Sequence, residues 1–591
     1  MSSSTDAECS TSISARSNSS IQNGAPKRTT TQHQQLPPRP KLNPAYPSAE
    51  SPVAPSCSSA NNDDATRLPF ALSGLLKSTG EEKMEEYAWI SVITAPAYAP
   101  MTSWLAVMQS LIRHPERNSS NILRADVVSE SEPSQAEQQG WRKQWTIRRA
   151  LLPRRPNLDW RMEQDCSLYY KYQRGGEGHE EEDEDVAEAV VIYTPLIGTL
   201  SHPKMEQEQV EVMGQPPQRE TSIPFYHPKV RALAFHFRLS SPSSSPSASS
   251  DTNTMFGSLG ISLIPFPQTP SNRSKNEAEA SEGAYPPTHR LSRVALSLIT
   301  TLHMHTWGHL HSYQKRVHHD TVVPRELYQD LYLELKRKYA GELISNWAEA
   351  TDPTKHVFEE MGIAAFLISL WSLTYKGKDK EQGEGEEWKN KVKFVDVGCG
   401  NGLLTYILSR EGFRGVGLDL RSRKSWTAYT SNGAQLSEWT FNPSTLVQPP
   451  SSTDSSSCSS IWTGAWLLGN HADELTPWLP VLATHHTAAG FINLPCCYFS
   501  LDGTRAFPLL LKGGREVSRN EQYLAYVGEL HKRFGWQVDL EPLRIPSTKN
   551  WCFVGRTRIE TEAGEEGLKQ KVKDAVEQAM ASGWAARACS K

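Results

Sequence analysis

The stretch Lys391-Val-Lys-Phe-Val-Asp-Val-Gly-Cys-Gly-Asn-Gly-Leu-Leu404 constrains the fold more than any other part of the chain. Val392–Val397 is a short β-branched and aromatic run, which reads as a buried strand. Gly398, Gly400 and Gly402 follow at once. Such glycines let the backbone take positive φ and pass close to a ligand. Leu403–Arg410 continues as a helix whose first N–H groups face the loop. After a turn at Glu411–Arg414, a second strand Gly415–Leu418 ends in Asp419. A lone G-x-G-x-G is weak evidence. Placed between strand and helix, with an acid about twenty residues on, it predicts an α/β sheet holding a nucleotide-like cofactor.

The rest of 391–560 extends that sheet. Leu467-Leu-Gly-Asn-His-Ala-Asp473 reads as a third strand running into an acid. Gly490-Phe-Ile-Asn-Leu-Pro-Cys-Cys497 supplies a fourth, whose carboxyl end faces the ligand crevice. Tyr523–Phe534 as a helix and Trp551–Arg556 as a late strand complete a doubly wound, Rossmann-like sheet. Residues 561–591 read as a C-terminal helical tail.

Upstream, residues 1–66 are rich in Ser, Thr, Asn, Gln and Pro, and predict a disordered tail. Five polar or acidic segments read as surface insertions: Gly175–Asp185, Ser240–Thr254, Pro267–Glu282, Lys376–Glu387 and Pro449–Ser460. Between them, 67–290 reads as an α+β region. Glu85–His114 carries apolar clusters at helical spacing, while Val230–Leu239 and Gly257–Phe266 read as paired strands. Residues 291–375 predict a helical region whose best helix is Asp352–Leu373.

With 38% hydrophobic residues the 591-residue chain can bury a core, and a net charge of −4 excludes a uniformly basic coat. Local basic stretches remain. Trp141–Pro156 carries Arg142, Lys143, Arg148, Arg149, Arg154 and Arg155 with two tryptophans and no acid, suiting either phosphate contacts or a solvated face. Lys315, Arg316, Lys336, Arg337 and Lys338 form a second patch. The nine cysteines are scattered and lack a CxxC pair, so neither a disulfide framework nor a zinc ribbon is expected. His303, His305, His309, His311, His318 and His319 cluster, but no cysteine or carboxylate pair completes a ligand set, so no metal is expected. The N-terminus lacks a basic segment followed by an apolar run, and Met361–Tyr375 is too short to span a bilayer. A cytoplasmic protein without a membrane partner is the expectation.

Asp396 ahead of the glycines makes the loop resemble the D-x-G-x-G motif of class I methyltransferases. That resemblance implies S-adenosyl-L-methionine as cofactor, Asp396, Gly398, Gly400 and Gly402 near its methionine part, and Asp419 on its ribose. It also implies Asp473 on the adenine amino group, although a helix-start role for Asp473 stays open. Asp419-Leu-Arg-Ser-Arg-Lys-Ser-Trp426, Asn470-His-Ala-Asp-Glu-Leu-Thr-Pro-Trp478 and Asn493-Leu-Pro-Cys-Cys497 narrow the resemblance to the tRNA (uracil-2′-O)-methyltransferases. So do Leu151–Pro156, Tyr313–Asp320, Asp352–Trp371 and Leu543–Lys549. The resemblance implies methyl transfer to the ribose of uridine 44 in serine tRNA.

Ribose methylation needs the 2′-oxygen held in line with the donor methyl, and a group that helps it lose its proton. Some ribose methyltransferases pair a lysine with an acid at the end of the fourth strand, where this chain has Asn493. Lys424 and Lys549 are the candidates for the proton-handling group, each with a solvated or phosphate-binding alternative. Pro495-Cys496 raises a rival, since pyrimidine C5-methyltransferases attack the base with a thiolate at this place. Cys496 and Cys497 also fit as small packing residues. A catalytically inactive tRNA-binding protein is the third reading.

Overall fold

The computed structural model describes residues 36–47, 89–133, 137–138, 140–156, 158–173, 185–196, 220–240, 254–266, 285–313, 319–376, 386–448, 461–511, 517–559 and 564–584. The chain divides into two units, 1–314 and 315–591. The interiors of all five expected insertions lie outside the described residues, as do 1–35 and 48–66 of the expected tail.

The first unit is an antiparallel sheet of β1 (Ile90–Ala97), β2 (Ile122–Ser131), β3 (Glu137–Gln138), β4 (Trp141–Pro153), β5 (Met162–Gln173), β6 (Asp185–Leu196), β7 (Val230–Leu239) and β8 (Gly257–Pro265). The order is β1-β8-β7-β6-β5-β4-β2, with β3 paired to β4. β7 and β8 pair antiparallel as expected. Helices α1 (Met101–Arg113) and α2 (Arg290–Leu310) cover one face. Trp104, Met108, Ile112, Ile299 and Leu302 meet Ile147, Leu168, Val191, Phe235 and Ile261 there. Glu85–His114 is therefore not one helical segment: strand β1 gives way to α1 because Val92 through Ala97 supply a sheet edge before the helix begins. Helix α2 belongs to this unit, so the region expected as 291–375 is divided between two units. Residues 36–47 also depart from the expected tail. Ala45 and Thr94 exchange backbone hydrogen bonds of 2.8 and 2.9 Å, and His303 Nε2 lies 3.0 Å from Pro40 O.

Internal partners account for part of the basic stretch at 141–156. Arg149 is 3% exposed. Its guanidinium donates to Leu111 O at 3.1 Å, to Ile112 O, and to Gln164 Oε1 at 2.6 and 3.0 Å. It thus satisfies carbonyls at the C-terminal end of α1, where helical partners run out. Arg148 makes a two-pronged pair with Asp165 at 2.8 and 2.9 Å. Trp141 is buried beneath Lys171 and Trp145 packs into the core, so neither is a free stacking platform. Arg154 and Arg155 remain exposed.

The second unit begins with α3 (Arg325–Ser345) and α4 (Pro353–Tyr375). Asp352 caps α4 by accepting from Thr354 N at 2.9 Å, with Pro353 at the first helical position. By length and apolarity α4 suffices to cross a membrane, contrary to the expectation drawn from Met361–Tyr375. It serves instead as the central core helix, with Met361, Ile363, Ala364, Leu367, Leu370 and Trp371 buried among α3 and the sheet.

That sheet contains β9 (Lys393–Val397), β10 (Arg414–Asp419), β11 (Leu436–Glu438), β12 (Trp466–Asn470), β13 (Gly490–Leu494), β14 (Trp536–Pro542) and β15 (Trp551–Arg558). Its order is β11-β10-β9-β12-β13-β15-β14. All pairs are parallel except those that β15 makes. Helix α5 (Leu403–Arg410) and α6 (Trp426–Ser431) flank one side, while α7 (Leu479–His485), α8 (Arg519–Arg533) and α9 (Gly564–Ala581) cover the other. Alternation within β9 divides the two cores: Phe394 packs with α4, and Val395 and Val397 pack with α7 and α8. Helix α9 was expected in a tail, yet Val572, Ala575, Val576 and Ala579 are buried against the sheet. Trp584 closes over Trp478 at 5.6 Å between rings.

Candidate cofactor and methyl-transfer site

The strand order reverses between β10–β9 and β12–β13, so the carboxyl ends of β9, β10, β12 and β13 open onto one crevice. The glycine loop sits there. Gly398, Gly400 and Gly402 have φ of 78°, 56° and 77°. At Gly402 a Cβ would come within 2.7 Å of Leu436. At Gly400 nothing lies within 4 Å of that position, so the space there is open. Gly400 N donates to Asp419 Oδ2 at 2.8 Å, which ties the loop to the tip of β10. Arg423 Nη2 stands 3.7 Å from the other Asp419 oxygen.

The string after Asp419 braces the loop. Trp426 Nε1 donates to Gly400 O at 3.0 Å, and Ser425 Oγ to Asn401 O at 2.8 Å. Glu349 in turn accepts from Ser425 N at 3.0 Å. Lys424 is exposed beside this brace.

Asp396 is 1% exposed. Its Oδ2 accepts from Thr405 Oγ1 at 2.9 Å, while its buried Oδ1 has no hydrogen-bond partner among the described residues. Burial pushes its pKa up to about 7, against the Thr405 bond and reinforced by the Asp419 charge. A buried, unsatisfied carboxylate oxygen beside an open glycine loop suits a ligand that brings donors or positive charge.

At the end of β12, His471 and Asp473 hold φ of 55° and 45°, rare for residues with a side chain. Helix α4 reaches them: Asn470 Nδ2 donates to Glu360 Oε2 at 2.9 Å, and His471 Nε2 lies 3.1 Å from Glu359 Oε1. Asp473 opens the 3₁₀ turn Asp473–Trp478, with Ala472 at its N-cap. Cys496 Sγ donates to Asp473 Oδ1 at 3.4 Å.

The end of β13 divides the remaining candidates. Asn493 is fully buried. Its Nδ2 donates to Thr476 O at 2.9 Å and lies 3.2 Å from His531 Nε2. Asn493, sought as a catalytic residue at this strand end, links the Asp473–Trp478 turn to α8. Lys549 reaches the segment that follows β13. Its Nζ donates to Tyr498 Oη at 2.7 Å and Asn520 Oδ1 at 2.8 Å. Tyr498 was missed from sequence because only Lys549, fifty-one positions away, gives it meaning.

Burial pushes the Cys496 thiol far up, with the Cys497 and Asp473 charges adding to it. Cys497 is raised for the same first reason. Both stay neutral thiols, so Cys496 is a poor nucleophile here. Among the described residues the metal-type ligands that assemble are Asp473, Cys496 and Cys497, all within 4.8 Å. With protonated thiols they form a hydrogen-bonded group. Three histidines of the 303–319 cluster find separate partners: Pro40 O for His303, Ser103 Oγ for His309 and Pro542 O for His319.

Comparison with known proteins agrees with this geometry. A family model described as "TRM44-like, N-terminal bet v1-like domain" matches residues 66–316. Another, "Predicted AdoMet-dependent methyltransferase", matches 322–443. The C-terminal unit is therefore an AdoMet-dependent methyltransferase domain, and the chain is a methyltransferase. A tRNA (uracil-O(2)-)-methyltransferase of Schizosaccharomyces pombe is 33% identical over 80% of this chain and 86% of its own length. One from Neurospora crassa is 35% identical over 76% and 83%. One from Yarrowia lipolytica is 29% identical over 84% and 97%. This chain belongs to the tRNA (uracil-O(2)-)-methyltransferase family.

Proposed function

We propose that the protein transfers a methyl group from S-adenosyl-L-methionine to the ribose 2′-hydroxyl of a uridine in tRNA, namely uridine 44 of serine tRNA, in the cytoplasm. The observation that carries the cofactor half is the open glycine loop flanked by the unsatisfied Asp396 and by Asp419. Family membership supports the tRNA half. The position and tRNA species rest on the resemblance of the strings after β10, β12 and β13.

When bound, the cofactor supplies an electrophilic methyl on a sulfonium. Asp419 accepts the cofactor's ribose hydroxyls, and Asp396 with the loop of Gly398, Gly400 and Gly402 receives the methionine end. Asp473, turned by its positive φ, serves the adenine edge. Lys549 helps the substrate lose its proton. Tyr498 and Asn520 fix its Nζ by the segment after β13, using two of an ammonium's three donors; the third, on the substrate 2′-oxygen, stabilises the oxyanion as its proton leaves to solvent. Lys424, exposed beside Asp419, contacts phosphate. The thiolate alternative is disfavoured by the raised Cys496 pKa.

Two transcripts of serine tRNA, one carrying 2′-deoxyuridine at position 44, test this reading. Labelled methyl enters the first and not the second. Equal labelling of both overturns the site, and labelling of neither overturns the substrate.

A further inference from the structure

We propose that Glu360 of α4, together with Asp396 and Asn470, forms the seat of the α-ammonium group at the methionine end of the methyl donor. The inference rests on the cofactor reading above and goes further, because it assigns a ligand contact to a helix outside the strand–loop–helix motif.

Glu360 approaches from across the crevice. Its Oε2 takes a single hydrogen bond, from Asn470 Nδ2 at 2.9 Å. Asn470 ends β12, whose Leu468 is paired with Asp396 on β9. Strand register thus sets the two carboxyls side by side, close enough for each to feel the other's charge, and burial with Asp396 and then Glu359 pushes Glu360 upward. Asp396 Oδ1 is buried with no partner, and so is Asn470 Oδ1. Two buried acceptors without a partner among the described residues, Asp396 Oδ1 and Asn470 Oδ1, therefore accompany the Glu360 carboxyl.

Such a group is costly unless a cation arrives. None of the interactions that shift Asp396 or Glu360 comes from a lysine or an arginine. A primary ammonium has three donors and one positive charge. It matches an acceptor on each of Glu360, Asp396 and Asn470, and its charge lets both acids ionise. A carboxylate or phosphate would be repelled. The adenine and ribose ends of the cofactor carry no such cation. The neighbouring pair, Glu359 with His471, clamps α4 to the end of β12.

Titration of the full-length protein with S-adenosylhomocysteine and with 5′-methylthioadenosine separates these roles, since only the first carries the amino acid end. Glu360→Gln preserves size and can still accept from Asn470. It should weaken S-adenosylhomocysteine on the order of tenfold or more, while 5′-methylthioadenosine affinity stays unchanged. Asn470→Ala, which frees Glu360 to turn, should show the same selectivity with a smaller loss. Equal loss for both ligands means that Glu360 only clamps the strand and overturns the proposal. Unchanged S-adenosylhomocysteine binding overturns it too, with the cofactor reading intact. Wild-type protein that binds neither ligand overturns the cofactor reading and this inference with it.

Discussion

Asp396→Asn should make the ligand-free protein more stable at neutral and alkaline pH while it abolishes cofactor binding. Asp396 is fully buried, its Oδ1 lacks a partner, and its pKa rises from an ordinary 3.8 to about 7. A carboxyl with a raised folded-state pKa favours folding below its unfolded pKa and loses that contribution as pH climbs through the folded one. At about 1.36 kcal/mol per pKa unit, the full penalty above about pH 7 is on the order of 4 kcal/mol. At about pH 5 only some 1.5 kcal/mol of it is present. Asparagine keeps the acceptor for Thr405 Oγ1 and removes the charge. Urea unfolding, followed on the transition that S-adenosylhomocysteine shifts in wild type, measures the difference. The stability gain of the variant should grow by about 2 kcal/mol or more between about pH 5 and about pH 8. Parallel pH profiles, or a wild type more stable than the variant at the higher pH, would refute the reasoning.

Three further outcomes follow from the geometry. Lys549→Met should lower kcat on the order of 100-fold with S-adenosylhomocysteine affinity unchanged, read by single-turnover methylation and calorimetry. Cys496→Ala should keep at least about half of wild-type activity, because a neutral thiol contributes only a bond to Asp473; a loss beyond about 100-fold would restore the thiolate route. Arg149→Leu should destabilise the N-terminal unit by about 2–4 kcal/mol in denaturant unfolding, since Leu111 O, Ile112 O and Gln164 lose their buried donor.

The glycine loop was legible because its chemistry is local: strand, positive-φ glycines, helix and Asp419 are contiguous in sequence, and the structure assembles them as read. The paired strands β7 and β8 were legible through alternation. What escaped was non-local. Glu349, Glu359 and Glu360 sit on or near helices and look like solvated acids, until the fold brings them to Ser425, His471 and Asn470. Asn493 occupies the strand end where an acid was sought, yet side-chain alternation turns it toward His531. Arg149 shared a sequence stretch with exposed arginines, and only the carbonyl end of α1 shows why it is buried. Helix α9 looked like a polar tail because its buried face is narrow: Val572, Ala575, Val576 and Ala579 among charged neighbours.

The most direct measurement of the central claim is nucleoside analysis of tRNA methylated by the purified protein with labelled S-adenosylmethionine. The account predicts label in 2′-O-methyluridine, lost in Asp396→Ala and Asp419→Ala. Label in a base-methylated pyrimidine, or retained by both variants, would contradict it.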